Sequence, residues 1–331
     1  MSLMSASLLN SVRYARTEGA PTHAPGHVES WFLRANHPSR PLAFWIKLTI
    51  LAPQDGPAVV ETWLVLFDGE TGRTFAHKDT HPFTEAHLGP VLTAGSYALD
   101  LGGGTLRGSC GGATFNLRFT VDGGDVARPL LIFPFAWMLT APFPRSKLVT
   151  PFPSVTFDGT IDTPAGPLPV NGWPGMQGHN WGKEHAPEYA WGQCVFPGAM
   201  VEGFTGRIRV GGMLTPRLSA MVVRRGSEEY RFDSIVDTWR QSATISPTQW
   251  TLRMRGRDGE ARLRMDGADR PMACLGYQNP DGRMSYCFNS KLADTLLEVR
   301  PSRGEPFHCS SAHGGALEFL RSVPDPSIPV V

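Results

Sequence analysis

Between Gly172 and Phe196 the chain reads GWPGMQGHNWGKEHAPEYAWGQCVF. Positions 179 to 193 alone carry His179, Asn180, Trp181, Lys183, Glu184, His185, Glu188, Tyr189, Trp191 and Gln193. Three of the protein's nine tryptophans, Trp173, Trp181 and Trp191, lie in the longer segment. His and Glu side chains exchange protons near neutral pH when their surroundings tune them. Trp and Tyr faces stabilise a cation by ~1–2 kcal/mol each where water is excluded. An acid beside aromatic walls can protonate an alkene and hold the carbocation that follows. The same walls can fold an apolar polyene into a reactive shape. On this reading His179, Glu184 and His185 are the candidate catalytic residues. Trp173, Asn180, Trp181, Tyr189 and Trp191 would contact substrate, and Gln193 would orient a polar group on it. The plainer alternative is an aromatic plug at one end of a barrel with its charges turned to solvent.

Strand parity sharpens the list. Along 189–196, Tyr189, Trp191, Gln193 and Val195 share one face, and Ala190, Gly192, Cys194 and Phe196 the other. Small residues at 190 and 192 suit a face crowded against another element, so the first set is expected to line a cavity. If 179–184 is extended, His179, Trp181 and Lys183 share a face. Further upstream, Lys47 sits mid-strand between Trp45 and Thr49, and Glu61 leads Trp63, Val65 and Phe67. A charge on an apolar face is costly unless paired. A Lys47–Glu61 contact would resolve both charges; a solvent-facing strand end is the alternative.

Other chemistry finds less support. His179 and His185 are six apart with Glu184 between them, which is not the pairing of a helical zinc site, and no third ligand is evident. No metal is expected, and a metal-dependent enzyme is the weakest reading. GGGTLRGSCGG (102–112) lacks the Lys-Ser/Thr ending of a phosphate loop and any following helix pattern. Tight turns account for it. Motifs of the G-x-S-x-G, H-E-x-x-H and calcium-loop types are absent from the sequence. The five cysteines are widely spread without a C-x-x-C, as for reduced, mostly buried thiols.

The elements that must position these residues are strands. VESWFLRA (28–35), PLAFWIKLTIL (41–51), VVETWLVLFD (59–68) and GRTFAHKDT (72–80) are β-branched and aromatic runs bounded by Pro, Gly or Asp. Gly69-Glu70-Thr71 is a hairpin-length link. Similar runs continue to residue 121 and resume after 195, the rhythm of a sandwich or barrel. About eight candidates in the second half suit a closed barrel whose mouth can hold one small apolar ligand. The proline-rich stretch 129–154 is expected as a packed crossing near a domain boundary, and 155–170 as a hairpin. The segments 235–243 and 291–299 are open between helix and strand. Thirty-six glycines and 29 prolines in 331 residues argue against a helical protein. A net charge of +1 gives no footprint for nucleic acid or an anionic membrane. No apolar run approaches the ~20 residues of a membrane helix. MSLMSASLLNSVRYARTEG lacks a basic n-region before its short apolar piece, so a cytoplasmic location is expected.

HNWGKEHAPEYAWGQC resembles the H-N-W-G…W-x-W-x-Q segment of the lipocalin-like family that includes carotenoid 1,2-hydratases, tocopherol cyclases and Diels–Alderases (AttH/CrtC-like). GPLPVNGWPGMQGHNWG before it fits that family's hairpin leading into the motif. ESWFLRANHPSRPLAFWIKLTIL and ETWLVLFD resemble first-barrel strands of its bacterial members. The resemblance implies an all-β chain of two tandem lipocalin-like (calycin) barrels, at 1–150 and 151–331, the second carrying the motif. It implies a ligand cavity for a hydrophobic terpenoid, polyene or polyketide, and no organic cofactor. Tyr189 stands where the family usually has Trp, and the hydratase's acidic residue matches no single position here. Reaction type within so diverse a family does not transfer. Expected is therefore a cofactor-independent cyclase, hydratase or isomerase working by proton-initiated or shape-enforced chemistry. The alternative is a carrier holding a hydrophobic ligand unchanged, which needs apolar walls and one or two orienting hydrogen bonds.

Overall fold

The computed structural model describes residues 5–14, 26–122, 130–131, 135–210 and 213–331. The chain is all-β, built on two barrel-like antiparallel sheets in tandem, one nearly closed and one a half-barrel. This is the expected pair of lipocalin-like barrels. Among the described residues no helix is long and apolar enough to cross a membrane.

Among the described residues the first sheet has twelve strands. Its order begins 73–82, 59–68, 42–52 and 27–36, continues through 166–182, 146–163 and 113–121, and ends in the short strands between 86 and 110. Among the same residues the second sheet has ten, with 188–196 beside 307–321 at its centre. The chain therefore passes between the sheets across 183–187 rather than at 150. The expected boundary falls where strand Ser146–Thr163 pairs with Gly166–Gly182 inside the first sheet. Pro151 and Pro153 are tolerated there because the ladder shifts register between Val149 and Phe152 and again between Phe152 and Val155. At that point the strand also changes neighbours, from Leu130–Leu131 to Ala113–Val121. Residues 129 and 132–134 of the proline-rich stretch, and 1–4 and 15–25 of the N-terminal region, lie outside the described residues. Of the two open segments, Ile235–Trp239 is a short helix and 291–299 belongs to strand Met284–Pro301.

Alternation explains most strands. In Ala113–Val121, Ala113, Phe115, Leu117 and Phe119 are buried while Thr114, Asn116, Arg118 and Thr120 are exposed. Leu42–Ala52 is different, because every residue is buried. Leu42, Phe44, Ile46, Leu48 and Ile50 enter the first barrel's core, while Ala43 and Trp45 enter a separate cluster between the two sheets. Val60 and Leu64 likewise face the first core, and Trp63, Val65 and Phe67 the space between. Across that space Trp191, Leu275, Cys287, Ala316 and Leu320 project from the second sheet. Thus each central strand serves a barrel core on one side and a shared interface on the other, as continuous apolar runs allow. Both barrel interiors hold packed apolar cores. Gly192 and Gly203 pair across their strands; a Cβ on Gly192 would collide with Met265 and crowd Trp250, and one on Gly203 would collide with Trp250, which plugs the second core.

Candidate functional site

A cavity of about 390 Å³ opens between the two sheets, within the ~300–1,000 Å³ range of small-molecule sites. Phe32, Trp45 and Lys47 come from the first sheet, and Tyr189, Trp191, Phe204 and Glu318 from the second. Phe32 reaches its wall position because it folds over Gly178, its cross-strand partner, where a Cβ would occupy the ring's place. Phe32 then meets Trp191 edge to face at 6.0 Å.

The expected parity of 189–196 holds. Ala190, Cys194 and Phe196 pack in the second core, and Tyr189 and Trp191 face the interface. Trp191 Nε1 donates to Glu202 Oε1 at 3.0 Å. Gln193 is on the same face but does not line the cavity. Its Nε2 donates to the Pro153 carbonyl at 3.0 Å, stitching the second sheet to the first. Arg34 Nη2 adds a bond to the Gln193 carbonyl at 3.1 Å.

The 179–185 stretch divides between two places. His179 is fully buried and is not part of the cavity wall. Its ring stacks on Trp31 at 4.7 Å and packs on Trp181 at 4.8 Å. Nδ1 faces the Leu9 carbonyl at 2.6 Å and Nε2 faces Glu29 at 2.9 Å. The Glu29 carboxylate also accepts the backbone N–H groups of Arg13 and Tyr14 and meets His27. Burial alone would raise the Glu29 pKa, but bonds from His179 and His27 and their charges outweigh it, holding Glu29 at about 2. His179 thus pins residues 9–14 across one end of the first barrel. Trp173 is also remote, buried in the first core against Phe44 at 6.0 Å.

Asn180, Trp181, Glu184, His185, Tyr189 and Trp191 do line the cavity. Glu184 lies between Arg145 at 3.3 Å and Arg283 at 3.2 Å, so both its oxygens face guanidinium groups. His185 stacks on Tyr277 at 5.0 Å. Burial, with the Lys47 charge, pushes its pKa down to about 3, so the ring is neutral at pH 7 and is no proton donor of the imidazolium kind. His179 and His185 face different spaces and share no site. Among the described residues no three His, Cys, Asp or Glu side chains form a metal-holding group.

Sequence reasoning missed the polar floor of the cavity. Glu318 pairs across the ladder with Trp191 and Asn289, and its carboxylate takes Lys291 at 2.6 Å, Asn289 at 3.2 Å and the Tyr189 hydroxyl at 3.5 Å. Burial, the neighbouring Cys287 and Glu318 hold the Tyr189 phenol well above its ordinary pKa, so it stays a hydrogen-bond donor. Lys47 does not reach Glu61. The ladder sets Lys47 opposite Trp63, and Glu61 opposite Thr49, where Glu61 takes Lys78 at 3.3 Å. Lys47 Nζ instead lies 4.0 Å from the Tyr277 ring centroid. Burial lowers its pKa to about 8 despite the opposing fields of Cys287, Glu318 and Glu61. A signal for Glu318 was present: in ALEFL, Leu317 and Phe319 alternate with Ala316, Glu318 and Leu320, placing a lone carboxylate on an apolar face.

No family model matches the chain. Two uncharacterized proteins of Mycobacterium tuberculosis, MT0513 of strain CDC 1551 and Rv0493c of strain H37Rv, are each 26% identical over 288 residues, covering 83% of this chain and 82% of theirs. A crystal structure of a protein provisionally designated AttH, from Nitrosomonas europaea, aligns with a TM-score of 0.52 at 13% identity over 92% of this chain and 98% of that one. That likeness shows a shared fold.

Proposed function

We propose that this protein is a cofactor-independent enzyme acting on a hydrophobic small molecule, of the cyclase, hydratase or isomerase kind, in the cavity between its two barrels. One observation carries the reading: a cavity walled by Phe32, Trp45, Trp191 and Phe204 also presents Lys47, Tyr189 and Glu318, the last paired with the buried Lys291. Burying such groups costs free energy that a carrier with apolar walls has no reason to spend. The AttH designation of the structural neighbour is consistent with this class.

The titratable groups favour one form of the chemistry. His185 is neutral, Tyr189 keeps its proton, and Glu318 is bonded to Lys291. A strong acid aimed at a bare alkene is not among these groups. The arrangement suits shape-enforced reaction of a polyene or polyketide, its chain folded by Phe32, Trp45, Trp191 and Phe204. The Tyr189 hydroxyl, whose contact with Glu318 is long at 3.5 Å, turns its one proton from Glu318 to an oxygen on the substrate and polarises it. Tyr189 is where the resemblance implied Trp, and the exchange supplies an O–H within reach of Glu318.

The test is product formation by the purified chain from linear polyene and polyketide candidates, followed by mass spectrometry, with binding measured in parallel. Tyr189→Phe is expected to lower kcat by roughly 10²-fold, the size of one oriented donor, with substrate affinity little changed. Tight binding with no product from any bound candidate would leave the carrier reading in its place.

A further inference from the structure

The cavity holds a cation to which the protein supplies no anion. Lys47 is 2% exposed, mid-strand, and belongs to the cavity wall. Its Nζ lies over the Tyr277 ring at 4.0 Å, with Trp45 and Trp63 at 5.6 and 5.9 Å. Among the described residues no carboxylate lies within the 4.0 Å of an ion pair with it, and no acceptor within hydrogen-bond distance. The carboxylates nearby are taken. Glu61 is paired with Lys78, Glu318 with Lys291, and Glu184 with Arg145 and Arg283. The other buried amine at the wall is satisfied, since Lys147 Nζ donates to the Pro144 carbonyl at 2.6 Å. Aromatic faces replace only part of an ammonium's lost hydration. Lys47 and Lys291 against Glu318 leave one positive charge over at the floor.

We propose that the cavity selects an apolar chain bearing one carboxylate, seated with the carboxylate on Lys47 Nζ and the chain along Phe32, Trp45 and Trp191. This deepens the ligand-site reading above and rests on it. The carboxylate supplies the anion that Lys47 lacks among the described residues, in the cavity that Lys47 and Tyr277 both line.

The experiment uses cis-parinaric acid, a fluorescent polyene carboxylic acid, and its methyl ester, each titrated into the full chain at pH 7. The acid is expected to bind roughly 10- to 100-fold more tightly than the ester, the range of one charge-assisted bond in a dry site. Lys47→Met should bring the two affinities together by weakening the acid alone, and Lys47→Arg should keep the preference. Equal binding of acid and ester by the unaltered protein, or a preference that survives Lys47→Met, overturns the carboxylate and leaves the apolar cavity standing. Failure of both probes to bind overturns the cavity reading with it.

Discussion

Replacing Lys47 by Met should make the protein more stable. The lysine's pKa falls from 10.5 in the unfolded chain to about 8 in the folded one, chiefly through burial. That difference corresponds to about 3 kcal/mol of penalty on the charged form. The Tyr277 face at 4.0 Å returns up to ~2 kcal/mol of it. Met has a similar length and no charge, so Lys47→Met should gain about 1–2 kcal/mol at pH 7 and raise Tm by a few degrees. The pH dependence gives a second reading of the same quantity. Below pH 8 the lysine is charged in both folded and unfolded chains, and the full penalty is present. Between pH 8 and 10.5 the folded lysine sheds its proton first, so wild-type stability rises with pH. The gap between variant and wild type should be widest at pH 7 and close as pH approaches 10.5. The fields of Cys287, Glu318, Glu61 and Lys78 on this amine are already contained in its lowered pKa, and His185 and Cys287 feel its charge in return. Urea titrations at pH 7 and pH 10 measure it. A variant less stable than wild type at pH 7, by an amount that does not move with pH, refutes the idea of an uncompensated charge.

His179→Ala should lower stability by about 3 kcal/mol, because it removes a buried stacked ring and leaves Glu29 half-bonded; urea melts should show it, and limited proteolysis should find new cleavage in residues 5–14. The Glu29 carboxylate stabilises the fold fully above its unfolded pKa of 4.5, and that contribution, about 3 kcal/mol, is lost as pH falls toward 2; Glu29→Gln should flatten the acid limb of a stability–pH curve. Glu318→Gln leaves Lys291 buried without its anion and should cost about 3–5 kcal/mol in chemical denaturation. Gly192→Ala should cost about 1–3 kcal/mol by driving a methyl into Met265 and Trp250, with binding of an apolar probe in the cavity unchanged because that side of the strand faces away from it.

Much of the architecture could be read from periodicity. Strand rhythm, turn residues and the parity of 189–196 follow from side chains alternating across a pleat, which is local information. What could not be read is which of two buried faces meets which partner. Trp31 and Trp45 both sit mid-strand in apolar runs, yet one enters a barrel core and the other the interface. The prolines at 151 and 153 suggested a boundary because a central strand disfavours them, and only the register shifts around them explain why the strand continues. His179 looked catalytic because chemistry-bearing residue types crowd its neighbourhood. Its role depends on Leu9 and Glu29, 170 and 150 residues away in sequence. Glu318 was legible in its alternation but lies far from the motif that drew attention, and Lys291 sat in a segment whose class was open.

The doubly buried strands have a consequence for how such a chain can change over time. In an ordinary barrel the outer face of a strand meets solvent and drifts freely, so one half can acquire a new pocket while the other stays as it was. Here Trp45, Lys47 and Trp63 answer to the far sheet as closely as Phe44, Ile46 and Leu64 answer to their own core. A substitution that reshapes the pocket from one half is tolerated only if the other half yields to match. Neither barrel owns the pocket, so a gene encoding either half alone would make at most a folded shell with half a wall and no site. Specificity in such a protein is inherited jointly, and new ligands are reached by paired changes across the seam.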